Sequence, residues 1–264
     1  MKKYLVIGNP IDHSLSPLIH NHWISYNNIN AIYEKKKLNE NELKDSILDI
    51  KKKKIDGINV TVPFKKSVIS YVDQLSPEAE KTQSVNTIYL DSNKIIGHNT
   101  DIDGFKLSVE NSTFDLVNKE IFIIGAGGVV SSIILALNKM KVSKIALSNR
   151  SKKKAEDLKK QFNNIDVVNW GVVPNFDMII NATSVGLNHN DKLNLDFSNV
   201  GKKKFFYDVI YNPRETNFLK LGKEMGNKIE NGKMMFIFQA ALAFKVWHGI
   251  HPIINEKTIT LVDQ

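Results

Sequence analysis

Cysteine is absent from the 264 residues. That excludes disulfides, thiolate metal ligands and a cysteine nucleophile, and it suits a reducing compartment, so a cytoplasmic location is expected. No metal site is expected either. There is no long uninterrupted apolar run. Residues 121–137 are apolar or small, but Gly125-Ala126-Gly127-Gly128 and Ser131-Ser132 interrupt them, which reads as strand, turn and helix and not as a membrane span. The apolar stretch after Lys2-Lys3 stops at Gly8-Asn9-Pro10, too early for a signal peptide. No linker rich in Pro, Gly or Ser separates domains, and no internal repeat is present. Acidic residues are outnumbered, 28 to 36, giving a formal charge of +8. The lysines come in short runs such as Lys51 to Lys54 and Lys202 to Lys204, without the interleaved aromatics of a single-strand binding platform. They read as solvated faces, and neither nucleic acid nor membrane is expected as a partner.

What is present alternates between strand and helix. Lys3 to Ile7, Ile32 to Lys36 and Gly57 to Val62 read as strands. Pro17 to Tyr26, Glu40 to Lys53, Lys66 to Tyr71 and Pro77 to Thr82 read as helical. Val85 to Leu90 and Lys94 to His98 form a hairpin turned at Asp91-Ser92-Asn93. A helix is expected from Asp103 to Glu110. A regular series then follows: strands at Glu120 to Ile124, Lys144 to Ser148, Val167 to Asn169, Asp177 to Asn181 and Phe205 to Ile210, and helices at Gly128 to Lys139, Ser151 to Phe162, Glu215 to Met225 and Met234 to Trp247. Strands alternating with helices imply an α/β fold with a parallel, doubly wound sheet.

Gly125-Ala126-Gly127-Gly128-Val129 lies between a buried strand and a helix. Glycines there allow a tight turn and close approach of backbone to a pyrophosphate at the helix N-terminus. The third glycine of the usual fingerprint is replaced by Val130, so a glycine turn without a ligand stays open. Asn149 lies 24 residues after Gly125, where an NAD enzyme would carry a carboxylate. None is present. Arg150, Ser151 and Lys152 to Lys154 stand there, a set suited to the 2′-phosphate of NADP in a chain where arginine is rare. In the first hundred residues, three pairs of polar residues two apart sit at or beyond strand ends: Ser14 and Ser16, Asn59 and Thr61, Asn99 and Asp101. In extended chain such pairs share a side, and strand ends are where open α/β sheets bind ligands. Each pair alone also reads as a cap or turn, and Lys65 alone as one lysine among many.

Gly8-Asn9-Pro10-Ile11-Asp12-His13-Ser14-Leu15-Ser16-Pro17, with His20-Asn21, resembles the N-terminal signature of the shikimate dehydrogenase family. Asn59-Val60-Thr61-Val62-Pro63-Phe64-Lys65, Val85-Asn86-Thr87, Gly97-His98-Asn99-Thr100-Asp101, Asn181-Ala182-Thr183-Ser184-Val185-Gly186, Tyr211-Asn212-Pro213 with Thr216, and Asn231-Gly232 leading to Gln239-Ala240-Ala241 follow in that family's order. The resemblance implies two α/β domains with a cleft between them. Residues 1–101, completed by C-terminal helices in 236–264, would be the substrate domain with a mainly parallel sheet. Residues 102–235 would be a Rossmann-type NADP domain. It further implies Lys65 and Asp101 as the catalytic pair. Ser14 and Ser16 would hold the substrate carboxylate, and Asn59, Thr61, Asn86, Asp101 and Gln239 its hydroxyls, with Tyr211 nearby. Gly125, Ala126, Gly127, Gly128 and Val129 would cradle the pyrophosphate. Asn149, Arg150, Ser151 and Lys154 would take the adenosine phosphate, and Val209 and Gly232 would border the nicotinamide. The expected activity is reversible reduction of 3-dehydroshikimate with NADPH, in the biosynthesis of chorismate and the aromatic amino acids. A quinate/shikimate dehydrogenase with relaxed cofactor use is the alternative. A basic nucleic-acid binder or an inactive NADP sensor fits the motifs less well. Whether Lys65 gives a proton or only stabilises charge stays open, as does the oligomeric state, with a homodimer among the options. Gln83-Ser84, Lys233-Met234 and Phe236 depart from the family pattern.

Overall fold

The computed structural model describes residues 1–188 and 190–263. In chain order its elements are β1 (Lys2–Gly8), α1 (Ser16–Tyr26), β2 (Ala31–Lys37), α2 (Leu43–Lys51), β3 (Gly57–Val60), β4 (Gln74–Leu75), α3 (Pro77–Thr82), β5 (Thr87–Asp91), β6 (Lys94–His98), α4 (Asp101–Asn111), β7 (Glu120–Ile124), α5 (Val130–Lys139), β8 (Lys144–Ser148), α6 (Lys152–Gln161), β9 (Ile165–Val167), β10 (Met178–Asn181), β11 (Phe205–Asp208), α7 (Asn217–Glu224), β12 (Lys228–Glu230), α8 (Lys233–His248) and α9 (Glu256–Leu261). The chain divides into two compact units. One comprises Met1–Gly104 and the residues from Ile237 onward, and the other is Phe105–Phe236. The divisions fall inside α4 and α8. Among the described residues no helix is long and apolar enough to cross a membrane.

The first unit holds a six-stranded sheet in the order β2-β1-β3-β5-β6-β4. β1 pairs in parallel with β2 and β3, whereas β5 runs antiparallel to β3 and β6. Central parallel strands are covered on both faces and so read as continuous apolar runs. Accordingly Tyr4 to Gly8 and all of Gly57–Val60 are buried. Because β1 and β3 end on the same edge of the sheet and β5 begins there, Asn59 lies directly opposite Thr87, and Thr87 opposite His98. α8 closes one face. Its Trp247 donates a 3.2 Å hydrogen bond to the Ile88 carbonyl. A Cβ on Gly57 would come within 2.4 Å of the Trp247 ring nitrogen, so only glycine lets the indole reach the sheet.

The second unit holds a wholly parallel sheet in the order β12-β11-β10-β7-β8-β9. Phe122, Phe176, Phe197, Phe206 and Phe218 fill one side of it. Several expectations shift here and in the first unit. The strand expected at residues 167–169 runs instead from Ile165 to Val167, and the strand expected to reach Val62 ends at Val60. α4 begins at Asp101 and not at Asp103. β4, β12 and α9 were not foreseen. Two or three residues are too few to show the two-residue periodicity of a strand. α9 did carry a signal, since the Asn255 side chain accepts the Thr258 amide at 3.0 Å as an N-cap.

His20 is 1% exposed and stacks on Tyr33, with centroids 4.2 Å apart and planes 3° from parallel. Trp23, Phe244 and Trp247 surround it, with His248 close by. Neither ring nitrogen has a partner among the described residues. Burial, reinforced by the neighbouring His248, pushes its pKa down to about 3 from 6.5. Above pH 6.5 the folded and unfolded chains both carry it neutral, and its contribution to stability is complete. As pH falls towards 3, only the unfolded chain takes up the proton, so that contribution is lost. Replacement His20→Phe keeps the stack and sacrifices no hydrogen bond to the protein. Unfolding by denaturant at pH 7 and at pH 4.5 should therefore show the variant losing about 2–3 kcal/mol less on acidification than the unmodified chain. Equal losses would rule this account out.

Candidate active site

In the first unit the polar side chains converge at the edge where β1 and β3 end. The Asn9 amide donates to the Val62 carbonyl at 3.0 Å and the Thr61 amide to Ile7 at 2.9 Å, which ties the loop after β1 to the segment after β3. Gly8 makes this possible, because a Cβ there would fall 2.5 Å from the Thr61 methyl. Lys65 follows that segment, and its carbonyl accepts the Val85 amide at 2.8 Å. Its Nζ lies 2.5 Å from Oδ2 of Asp101, with the two side chains 14% and 6% exposed. The other carboxylate oxygen accepts from Asn86 Nδ2 at 2.9 Å. Asn86 also donates to Thr100 Oγ1 at 2.9 Å and, at 3.4 Å, to Oε1 of Gln239 on α8. Its Oδ1 accepts the Thr100 amide at 2.8 Å and the Thr87 hydroxyl at 3.0 Å. Asn59 donates to the Asn86 carbonyl and to Thr87 Oγ1 at 3.0 and 3.1 Å.

Lys65, Asp101, Asn86, Asn59 and Gln239 are thus drawn into one bonded cluster, with Thr61 in the segment leading to Lys65. Ser14 lies in the loop that this segment holds, and its Oγ accepts the Ser16 amide at 3.3 Å as α1 opens. The third polar pair does not converge. Asn99 turns away, donating to Thr82 Oγ1 and the Ser84 carbonyl and accepting the Asp101 amide. The chain there is entering α4 and is not extended, so residues two apart do not share a side.

In the second unit the glycine turn joins β7 to α5. Gly125 has φ +112°, and a Cβ on it would come within 2.8 Å of the Ala182 carbonyl oxygen. Gly127 and Gly128 are exposed, and a Cβ on Gly128 would meet nothing within 4 Å. Beyond β8 the Asn149 amide donates to the Ser151 carbonyl at 2.9 Å. Arg150, Ser151 and Lys154 are exposed, the first turn of α6 has no acidic residue, and Arg150 meets no carboxylate among the described residues. Val209 and Gly232 are in backbone contact, for a Cβ on Gly232 would stand 2.1 Å from the Val209 carbonyl oxygen. Tyr211 stacks on Phe236 at 4.9 Å, so one of the residues that departs from the family pattern covers this tyrosine. Next to Val209, the buried Asp208 carboxylate accepts from Thr216, Asn181 and the Ile210 amide at 2.7–3.0 Å. Burial outweighs these three donors and pushes its pKa up to about 6.

Comparison with known proteins identifies the family. A family model of the shikimate dehydrogenase substrate-binding domain matches residues 6–88, and one of shikimate/quinate 5-dehydrogenase matches residues 108–218. A shikimate dehydrogenase (NADP(+)) of Pelagibacter ubique is 57% identical over 262 residues, covering 99% of both chains. This chain belongs to the shikimate dehydrogenase family. The crystal structure of the Aquifex aeolicus shikimate dehydrogenase superposes with a TM-score of 0.92 at 36% identity, covering 100% of this chain and 98% of that one. The family's enzyme from Thermus thermophilus, solved with NADP(H) and shikimate, has a TM-score of 0.89 at 27% identity, covering 98% of this chain and 97% of that one.

Sequence reasoning passed over Thr87, Thr100 and Asp208, which carry much of the bonding around the predicted residues. Thr87 and Thr100 stood inside quoted motifs, but a threonine hydroxyl leaves no periodic signal. The glycine turn fits a dinucleotide pyrophosphate. Its first glycine is demanded by the fold, its later glycines are left open to solvent, and the basic set after β8 carries no carboxylate to repel a 2′-phosphate. The two glycines therefore make separable predictions. Gly125→Ala should lower the melting temperature, since both its φ and its approach to Ala182 exclude a side chain. Gly128→Ala should leave the melting temperature within a degree or two yet weaken NADP binding at least several-fold in a direct titration. Unchanged NADP affinity in Gly128→Ala would remove the turn from the cofactor site.

Proposed function

We propose that this chain catalyses the reversible reduction of 3-dehydroshikimate to shikimate with NADPH. The first unit would take the ring carboxylate substrate and the second the cofactor. The observation that carries the reading is the Lys65–Asp101 pair at 2.5 Å, buried beside the Asn86 amide and Gln239. Bound NADPH supplies a hydride to the keto carbon. The protein's own task is the remaining proton, because a reduced ketone is an alkoxide until it is protonated. Lys65 is the donor, held in place by the Asp101 carboxylate, and water restores the proton after product leaves. Asn59, Thr61, Asn86 and Gln239 offer amides and a hydroxyl to the ring hydroxyls. Ser14 and Ser16 offer two hydroxyls to the carboxylate. In the second unit, Gly125 to Val129 would bear the pyrophosphate, and Val209 and Gly232 the nicotinamide edge.

Two measurements test this. Lys65→Ala should cut turnover of shikimate by roughly 100-fold or more, the usual scale for a general acid, with a much smaller change in KM. Turnover within about threefold of the unmodified enzyme would remove Lys65 from proton transfer. Arg150 provides a planar fork of donors for the adenosine 2′-phosphate, and charge-assisted bonds of about 1.5–3 kcal/mol each favour NADP over NAD by tens-fold or more. Arg150→Ala should weaken NADP strongly while leaving NAD almost unchanged. Equal kcat/KM for NADP and NAD in the unmodified enzyme would instead favour a quinate/shikimate enzyme of relaxed cofactor use.

A further inference from the structure

Tyr33 occupies the edge strand β2, is 1% exposed, and is held by three independent contacts. The Asn21 side chain brackets its main chain, accepting its amide at 2.9 Å and donating to its carbonyl at 2.8 Å. An edge strand leaves such groups unpaired, and here α1 pairs them. His20 stacks flat on the ring. The phenol hydroxyl donates to Asn59 Oδ1 at 2.7 Å. The motif His20-Asn21, to which the reaction gives no role, therefore serves to fix one tyrosine.

The bonding beyond Tyr33 runs in a single sense. A carboxylate only accepts, so Asp101 requires Asn86 to present its NH2 group. The Asn86 oxygen then faces Thr87, which donates to it at 3.0 Å. Thr87 in turn accepts from the Asn59 NH2 group at 3.1 Å, and this turns the Asn59 oxygen towards the Tyr33 hydroxyl. A directed line of donors thus leads from Tyr33 through Asn59, Thr87 and Asn86 to the carboxylate that pairs with Lys65.

We propose that Tyr33 is a positioning residue for the substrate: through Asn59 it sets the orientation of the amides beside Lys65 and Asp101. The inference rests on the functional reading above. Tyr33 touches neither Lys65 nor Asp101, and it acts through Asn59.

Tyr33→Phe keeps the ring and removes only the hydroxyl, leaving Asn59 Oδ1 unpaired. Loss of one such bond corresponds to about a five- to tenfold effect. The expected result is a rise of that size in KM for shikimate, with kcat within about threefold and KM for NADP unchanged. Added to Asn59→Ala, the same substitution should have no further effect. A general loss of structure would lower kcat and disturb both KM values together, and such an outcome, an unchanged KM for shikimate, or effects that multiply independently in the double variant would overturn the proposal. If Tyr33→Phe does not fold, Thr87→Val breaks the same line one step further on and should give the same split. A readout without substrate separates this test from that of the function itself. Nuclear magnetic resonance of Tyr33→Phe should show the Asn59 and Asn86 side-chain amide signals shifted, and an unmoved Asn86 signal would end the relay even in an active enzyme. Failure of the unmodified chain to oxidise shikimate would end the functional reading and leave the amide shifts standing.

Discussion

A carboxylate that can only accept hydrogen bonds, buried beside a lysine, constrains the whole polar centre of the first unit. Asp101 opens α4, and its two oxygens are divided between Lys65 and the Asn86 amide. Asn86 is 2% exposed and must serve β5, the turn into α4 and α8 together. Burial of so many polar groups is tolerable only when each is paired, since an unpaired one costs about 1–3 kcal/mol. The cluster is also cooperative in structure, because the direction of one amide dictates the next. α8 contributes Gln239 here and Trp247 at the other end of its course, so the C-terminal segment belongs to the same unit as the first strands.

The second unit relies on backbone proximity more than on paired charge. Gly125 abuts Ala182, and Gly232 abuts Val209, in each case at distances no side chain permits. The turn after β11 is fixed by Asp208, which gathers Thr216, Asn181 and the Ile210 amide. Its pKa of about 6 records a balance in which burial exceeds the help from three donors. Thr216 is shared, for it also caps α7 by accepting the Leu219 amide at 3.3 Å. One hydroxyl thus fixes both the turn and the helix that follows it.

Much of this was legible in the residues. β1, β3, β7, β8, β10 and β11 announce themselves as apolar runs because parallel strands are covered on both faces. The hairpin β5–β6 announces itself at Asp91-Ser92-Asn93, where Ser92 and Asn93 take positive φ. The glycine turn and the basic set after β8 are contiguous in sequence, so their joint meaning can be read there. β4 and β12 could not be read, being two and three residues long and defined by their neighbours. Asn99 misled for a related reason. Its spacing from Asp101 suggested a shared side, but α4 begins at Asp101 and the two side chains part.

The sequence by itself determined the alternation of strands and helices, the family, the basic set at Arg150, and the candidate pair Lys65 and Asp101 as residue types in recognisable motifs. These are local or ordered features, and order along the chain is what a sequence records. Only the tertiary structure decided that Lys65 and Asp101 touch, that Asn86 is the hub between them and α8, and that His20 and Asn21 act on Tyr33. Each of those facts joins residues that are apart in the chain, and the direction of the Asn86 hydrogen bonds follows from a carboxylate whose neighbours only folding supplies.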